Sequence, residues 1–332
     1  MTLCAGQAGR MSSRRIRALA FGAFVLVALT VELIWAAPYL GRAGRAVGNA
    51  DLGYLALAVL AEIASMLSFA RLQRVMLGAG GVRVPLRRAA ATAVAGNAIS
   101  VTLPGGSIAS LAYTSKRMWS WGASAPLIGF TFAATAALST TALALLGAVG
   151  GTLAQDTGHA LWSVAEIAAA LAVVGALIAT LRRPDLVRAL TGRVLRLARR
   201  DTSRAEIIAA ELTAIRPGVV VWSRAFTFAL LNWATDLACL LAAAHAVGVE
   251  PSLHSVVLAY VAAMAASSSI PLVPGGLGVV EAAAVLVLVN GGLAVAGATA
   301  AVLVYRLISL GAVALVGWLV VLAQRQRLVP AR

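Results

Sequence analysis

Eight apolar stretches run along the chain, at about 18–40, 51–70, 89–114, 124–149, 160–181, 218–247, 253–290 and 293–323. Most approach or exceed the roughly 20 residues that an α-helix needs to cross a hydrocarbon core of about 30 Å. Two of them are broken from within, one by Pro104-Gly105-Gly106 and the other by Pro274-Gly275-Gly276. Proline removes a backbone donor and glycine admits left-handed backbone, so a helix stops at such a triplet and the chain can turn back. The pattern predicts an all-α polytopic membrane bundle of about six full spans plus two re-entrant Pro-Gly-Gly hairpins, at 89–114 and 253–290; the alternative is eight plain spans.

Composition excludes an ordinary soluble enzyme. Soluble domains are near half apolar and a quarter charged, whereas this 332-residue chain is 61% hydrophobic and 12% charged. Its 27 Lys and Arg against 12 Asp and Glu give a formal charge of +15. In a soluble protein that balance would point to nucleic acid. Here the arginines sit at the ends of apolar stretches rather than along one polar face, so no nucleic-acid partner is expected and the charge reads as topology. Arg14, Arg15 and Arg17 precede the first stretch, Arg71, Arg74, Arg83, Arg87 and Arg88 follow the second, and Lys116 and Arg117 close the first broken segment.

If 89–114 dips in and returns, these clusters, Arg182, Arg183, Arg325 and Arg327 all fall on the cytoplasmic face, with both termini. The loop at 150–159, with Asp156 and His159, and the end near Glu250 then fall outside; Arg42 and Arg45 are the exception. The segment 253–290 has no Lys or Arg at either end and reads as a hairpin entering from outside. The expected location is the cell membrane. Arg14-Arg15-Ile16-Arg17 imitates the start of a signal peptide, but the apolar run continues to Leu40 and more spans follow. Met11 is an alternative start that would leave Cys4 outside the protein; Cys4 and Cys239 give no disulfide framework.

The broken segments also repeat. Asn97-Ala-Ile-Ser-Val-Thr-Leu-Pro104-Gly-Gly and Ser267-Ser-Ser-Ile-Pro-Leu-Val-Pro274-Gly-Gly align without gaps, 170 residues apart. With the charge-derived orientation, span–hairpin–span occurs once from each side, an inverted repeat whose interrupted segments mark a transporter's binding site. The chain therefore divides into a tail at 1–17, a first membrane half at 18–182, a linker at 183–216, a second half at 217–323 and a tail at 324–332. The linker predicts a basic amphipathic helix opened by Pro184, with Leu186, Leu190, Val194 and Leu197 on one face, and a second helix after a capping box at Ser203-Arg-Ala-Glu206. Anionic lipid headgroups suit its arginines.

Ionisable side chains inside a membrane are expensive, so each is a functional candidate. Glu281 leads, two turns into the returning arm of the second hairpin, with Arg306, preceded by Tyr305, as its counter-charge in the last span. Asp236, one turn from Asn232, and Glu62 occupy corresponding spans of the two halves. Helices restarting at Pro104-Gly105-Gly106 and Pro274-Gly275-Gly276 would present free amides to an anion, with Gly278 just beyond. Gly147 and Gly151 read as small-residue packing. His159, His245 and His254 are scattered without ligand spacing, and Ser267-Ser-Ser has no histidine partner by motif. No catalytic constellation, metal or cofactor is expected.

Pro271-Leu-Val-Pro274-Gly-Gly-Leu-Gly-Val-Val-Glu281, with Tyr305-Arg306-Leu307, resembles the signature of the flippase-like membrane family typified by the transmembrane region of lysylphosphatidylglycerol synthase. Asn97 and Leu103-Pro104-Gly105 are similar to its weaker first motif, and the likeness runs from the first span to the last. Where that motif often continues into acidic and arginine residues, Ser107-Ile-Ala-Ser-Leu-Ala-Tyr113 stands here, which leaves the first hairpin without the family's charges. The resemblance implies moving or handling a lipid or lipid-linked sugar, without the soluble synthase domain. Two functions are expected to compete. One is translocation of an anionic phospholipid or a polyprenyl-phosphate-linked glycan, with hairpin amides and Arg306 on the headgroup and Glu281 as a proton- or cation-coupled gate. The other is a non-transporting accessory subunit of a glycosyltransferase or another envelope-biosynthesis enzyme. An intramembrane hydrolase or transferase, lacking a nucleophile, ranks last.

Overall fold

A computed structural model describes residues 48, 50–103, 105–153, 168–169, 171–176, 178–180, 182–197, 205–269 and 274–326. The predicted span at 18–40, most of that at 160–181, the tail at 1–17, Arg42, Arg45, Pro104, Asp156, His159, the Ser203 cap and Arg327 lie outside the described residues. Among the described residues the regular structure is entirely helical. In chain order the helices are α1 (Leu52–Ala79), α2 (Leu86–Thr102), α3 (Gly106–Ser120), α4 (Ala125–Leu153), α5 (Pro184–Leu197), α6 (Ala205–Ala214), α7 (Val219–Ala246), α8 (Leu253–Ser269), α9 (Val279–Asn290), α10 (Val295–Arg306) and α11 (Val313–Gln326). A π-helical turn, Leu307–Ala312, joins the last two into one continuous rod.

Four rods are long and apolar enough to cross a membrane: Leu52–Ala79, Ala125–Gly151, Val219–Ala246 and Val295–Gln324. Only 22% of the most apolar window of the last is buried within the protein, at a mean hydropathy of 2.2. Leu52, Leu60, Ile63, Val219, Leu315 and Leu319 are all exposed. A surface so apolar is stable against lipid rather than water, and the protein is an integral membrane protein.

The centre is the antiparallel pair α1 and α7. Its seam is built from residues small enough for close backbone approach, with Ala58, Ala225, Ala229, Cys239 and Ala243 fully buried. Asp51 donates its N–H to Ala246 O at 2.8 Å at one end, where Tyr54 stacks on His245; Arg71 lies over Phe228 nearer the other. Gly147 and Gly150 face Val261 and Val257 of α8, a close approach of the kind predicted for the Gly147 segment, and Gly151 beside them is buried.

Each broken segment folds back on itself. Helices α2 and α3 lie side by side, with Gly96 opposite Ser110 and Thr114, and Gly106 opposite Ile99 and Ser100. Helices α8 and α9 do likewise, with Gly291 opposite Ser255 and Gly276 opposite Ser267. At 12 residues, α9 is roughly 18 Å long, short of a bilayer core. The first hairpin opens at the end of the bundle that carries Arg74, Arg83, Arg87, Arg88, Lys116 and Arg117. The second opens at the opposite end, beside Val249 and Asp51, and the two tips meet between them.

In the linker, α5 begins at Pro184 and leaves Leu186 and Leu190 exposed with Arg188, Arg193 and Arg196, while Val187 turns into the protein. Helix α6 packs on α5 and on α4, with Ala205 and Ala209 buried and Leu212 joining the core cluster that holds Leu127 of α4.

Candidate functional site

The hairpin tips are glycine-dependent for two distinct reasons. A side chain on Gly106 would run into the carbonyl oxygens of Ile99 and Ser100 on its own partner arm. Gly275 has φ 59°, and a side chain there would meet Leu310 and, at 3.3 Å, Val101 O of the other hairpin. Glycine therefore sets how closely the arms and the tips approach.

Where the tips meet, a cavity of about 360 Å³ opens between them. Asn97, Ser100, Leu103 and Ser107 of the first hairpin line one side, and Ser267, Gly275 and Gly276 of the second line another. Glu62 and Met66 of α1, Asp236 of α7, and Tyr305, Arg306 and Ser309 of the last rod complete it. All of these come from segments far apart in sequence, so only the tertiary fold assembles the site.

Its electrostatic centre is a clasp. Arg306 Nε donates to Glu281 Oε1 at 2.6 Å, and an Arg306 terminal nitrogen donates to the carbonyl oxygen of Gly275. The other oxygen of Glu281 accepts from the N–H of Gly278 at 2.6 Å. The pair ties the tip of the second hairpin to the last rod, and it is largely buried, with side-chain exposures of 13% for Arg306 and 11% for Glu281. Removing one partner from a pair this buried strands the other charge.

Glu281 lies in the first turn of α9, not two turns into the returning arm as the sequence spacing suggests. The chain uses Pro274–Gly276 for a 3-10 turn and Gly278, at φ 86°, as the cap, so the helix begins only at Val279. Two amides near the tips are already bonded. Glu281 takes the Gly278 N–H, and Gly106 donates its N–H to Leu103 O at 2.7 Å. The cation that lines the cavity is the guanidinium of Arg306.

Behind the clasp lies a second polar layer. Asp236 accepts from Tyr260 at 2.6 Å and from Tyr305 at 3.1 Å, which anchors α7 to α8 and α10. Glu62, 4% exposed, faces Asp236 across the α1–α7 seam, and its Oε2 has no hydrogen-bond partner among the described residues. One turn along, Ser65 donates to Asn232 at 3.3 Å. Asn97 reaches the sulfur of Met66 at 3.6 Å.

A family model described as the lysylphosphatidylglycerol synthase TM region matches residues 16–317. The chain belongs to this family. No curated protein matches it. In this member of the lysylphosphatidylglycerol synthase TM family, Tyr305 and Arg306 line one cavity with Asp236, Glu62, Asn97, Gly275 and Gly276, and Glu281 adjoins it through its ion pair with Arg306. Gly105 forms the left-handed cap of α3 at φ 64°, and Pro274 opens the 3-10 turn. Pro104 lies outside the described residues, as do the side chains of Ser268 and Ser269.

Three contributors were not evident in sequence. Tyr260 carries no signal in an apolar helix, although a tyrosine buried in a span needs a polar partner. Ser309 sits in the π turn directly after Arg306, its hydroxyl buried without a partner among the described residues. The π turn itself widens the rod at the cavity, a placement typical of functional sites, and no proline or glycine pattern announces it. No group of three or more potential metal ligands occurs among the described residues.

Proposed function

We propose that this protein translocates an anionic lipid, a phospholipid or a polyprenyl-phosphate-linked glycan, across the cell membrane, with both termini and the arginine-rich end in the cytoplasm. The observation that carries the reading is the Arg306–Glu281 clasp, set in a cavity where two hairpins from opposite ends of the bundle meet. A membrane-interior arginine is a strong attractor for phosphate, and Glu281 occupies the place that a headgroup anion would take. The two hairpins are read as re-entrant, each closing the cavity from one face.

In this reading a headgroup phosphate displaces Glu281 from Arg306, and a proton or cation neutralises the released carboxylate. Release of that counter-ion on the far side lets Glu281 reclaim Arg306 and eject the headgroup. Asn97, Ser100 and Ser267 supply the neutral polar wall that the headgroup slides along, while acyl or prenyl chains stay in the bilayer.

Purified protein reconstituted into vesicles with headgroup-labelled phosphatidylglycerol tests this. Wild-type protein is expected to equilibrate the label between leaflets, and Arg306→Gln to slow it at least tenfold. If vesicles show no movement by either protein, while loss of the chain impairs a partner enzyme of envelope synthesis, the accessory-subunit role replaces translocation.

A further inference from the structure

A second concavity, larger than the one at the clasp, lies away from it at the arginine-rich end of the first hairpin. It encloses about 600 Å³ between the start of α2, the end of α3 and the end of α11. Arg87 and Arg88 on α2 and Arg117 on α3 converge on it, with Thr92, Trp121 and Gln324. No carboxylate of the described residues lines it. Arg117 is held over the ring of Tyr113, 5.7 Å from its centroid, so its guanidinium is positioned rather than free to swing. Below the rim, Ile108 and Leu111 of α3 and Leu319 and Leu322 of α11 are exposed. Three cations above a lipid-facing apolar wall, beside a tryptophan of the kind that settles at headgroup depth, match the two ends of an anionic phospholipid.

We infer that this cavity is a binding site for the phosphate of an anionic membrane lipid, distinct from the Arg306 cavity. An arginine cluster of this kind favours phosphate through several charge-assisted bonds. The arginines of α5 provide the control, since Arg188, Arg193 and Arg196 are exposed and line neither of these two cavities. The two cavities share helix α2. From Thr92 in one to Asn97 in the other is roughly 7.5 Å along the axis. Between them lies a small apolar plug of Ala95, Ile99, Tyr113, Trp318 and Val321. The basic cavity is therefore a loading site, and its link to the inner cavity rests on the translocation reading; lipid binding at it does not.

Native mass spectrometry of the full chain in detergent, titrated with dioleoyl phosphatidylglycerol or dioleoyl phosphatidylcholine, tests the site. An Arg306→Gln/Glu281→Gln background is used, which removes the cation of the inner cavity without stranding the Glu281 charge. One phosphatidylglycerol is expected to be retained at least tenfold more tightly than phosphatidylcholine. R87Q/R88Q/R117Q should abolish that preference, R87K/R88K/R117K should keep most of it, and R188Q/R193Q/R196Q should keep all of it. If the triple glutamine variant misfolds, R117Q alone decides, with at least threefold weaker binding expected. Equal retention of the two lipids, or an unchanged preference in a folded R117Q or triple variant, overturns the inference. Displacement of the lipid by about 10 mM inorganic phosphate would overturn the lipid assignment in favour of a soluble phosphate ligand.

Discussion

The two hairpins share the Pro-Gly-Gly punctuation and hold their tips by opposite means. The first is neutral. Gly106 brings its arms into backbone contact, and Tyr113 to Gln324 at 2.7 Å and Trp318 to Thr102 at 3.1 Å bind it to α11. The second is charged, its tip fastened by Glu281 and Arg306. Neutral hydrogen bonds and packing give an anion nothing to compete for. An ion pair can be exchanged, since a phosphate replaces a carboxylate on arginine at little geometric cost. On the proposed translocation mechanism, the first hairpin is a fixed wall and the second a releasable latch.

The harshest way to break this contrast is Arg306→Ala, which leaves Glu281 charged, buried and unpaired. It should cost about 3–5 kcal/mol, read as a large fall in the thermal midpoint of the detergent-solubilised protein; a fall no larger than that of a surface substitution would mean that the clasp does not hold the tip. Gly106→Val attacks the first hairpin through sterics alone. Overpacking of this order costs about 1–3 kcal/mol, and the loss should be the same at high and low salt, whereas the Arg306 effect depends on charge.

Tyr260→Phe removes a donor to Asp236, at a cost of about 1–2 kcal/mol. Because it acts behind the latch, it should lower stability more than it lowers phosphatidylglycerol affinity; the reverse order would move Asp236 into the headgroup contact itself. Tyr113→Phe is the mildest, at about 1 kcal/mol or less, and headgroup movement in vesicles should persist. Loss of movement there would make the first hairpin a moving part.

Much of this contrast was visible in the chain. Pro104-Gly105-Gly106 and Pro274-Gly275-Gly276 mark the turns because few other residues tolerate that backbone, and arginine placement marks one end of the bundle because charge cannot be left in hydrocarbon. The same expense singles out Glu281, Arg306, Asp236 and Glu62 among apolar neighbours. What stayed hidden depends on register and on contacts across the bundle. Glu281 as a first-turn cap requires knowing that α9 starts at Val279. The use of the Gly106 and Gly278 amides is decided by turn geometry, which composition does not encode. Tyr260 becomes polar in role only when α8 meets α7. The split of α5 into an exposed Leu186 and Leu190 and a buried Val187 follows from docking, not from amphipathic period.

The central claim, that Arg306 trades Glu281 for a headgroup, is tested most directly by Glu281→Gln. Glutamine keeps the acceptor for the Gly278 amide and removes only the charge. Binding and leaflet exchange of headgroup-labelled phosphatidylglycerol are measured on the same reconstituted preparation. The account predicts binding about tenfold tighter, equivalent to about 1.4 kcal/mol, with exchange slowed at least tenfold because nothing reclaims Arg306. Unchanged affinity together with normal exchange would contradict it and leave the clasp a structural tie.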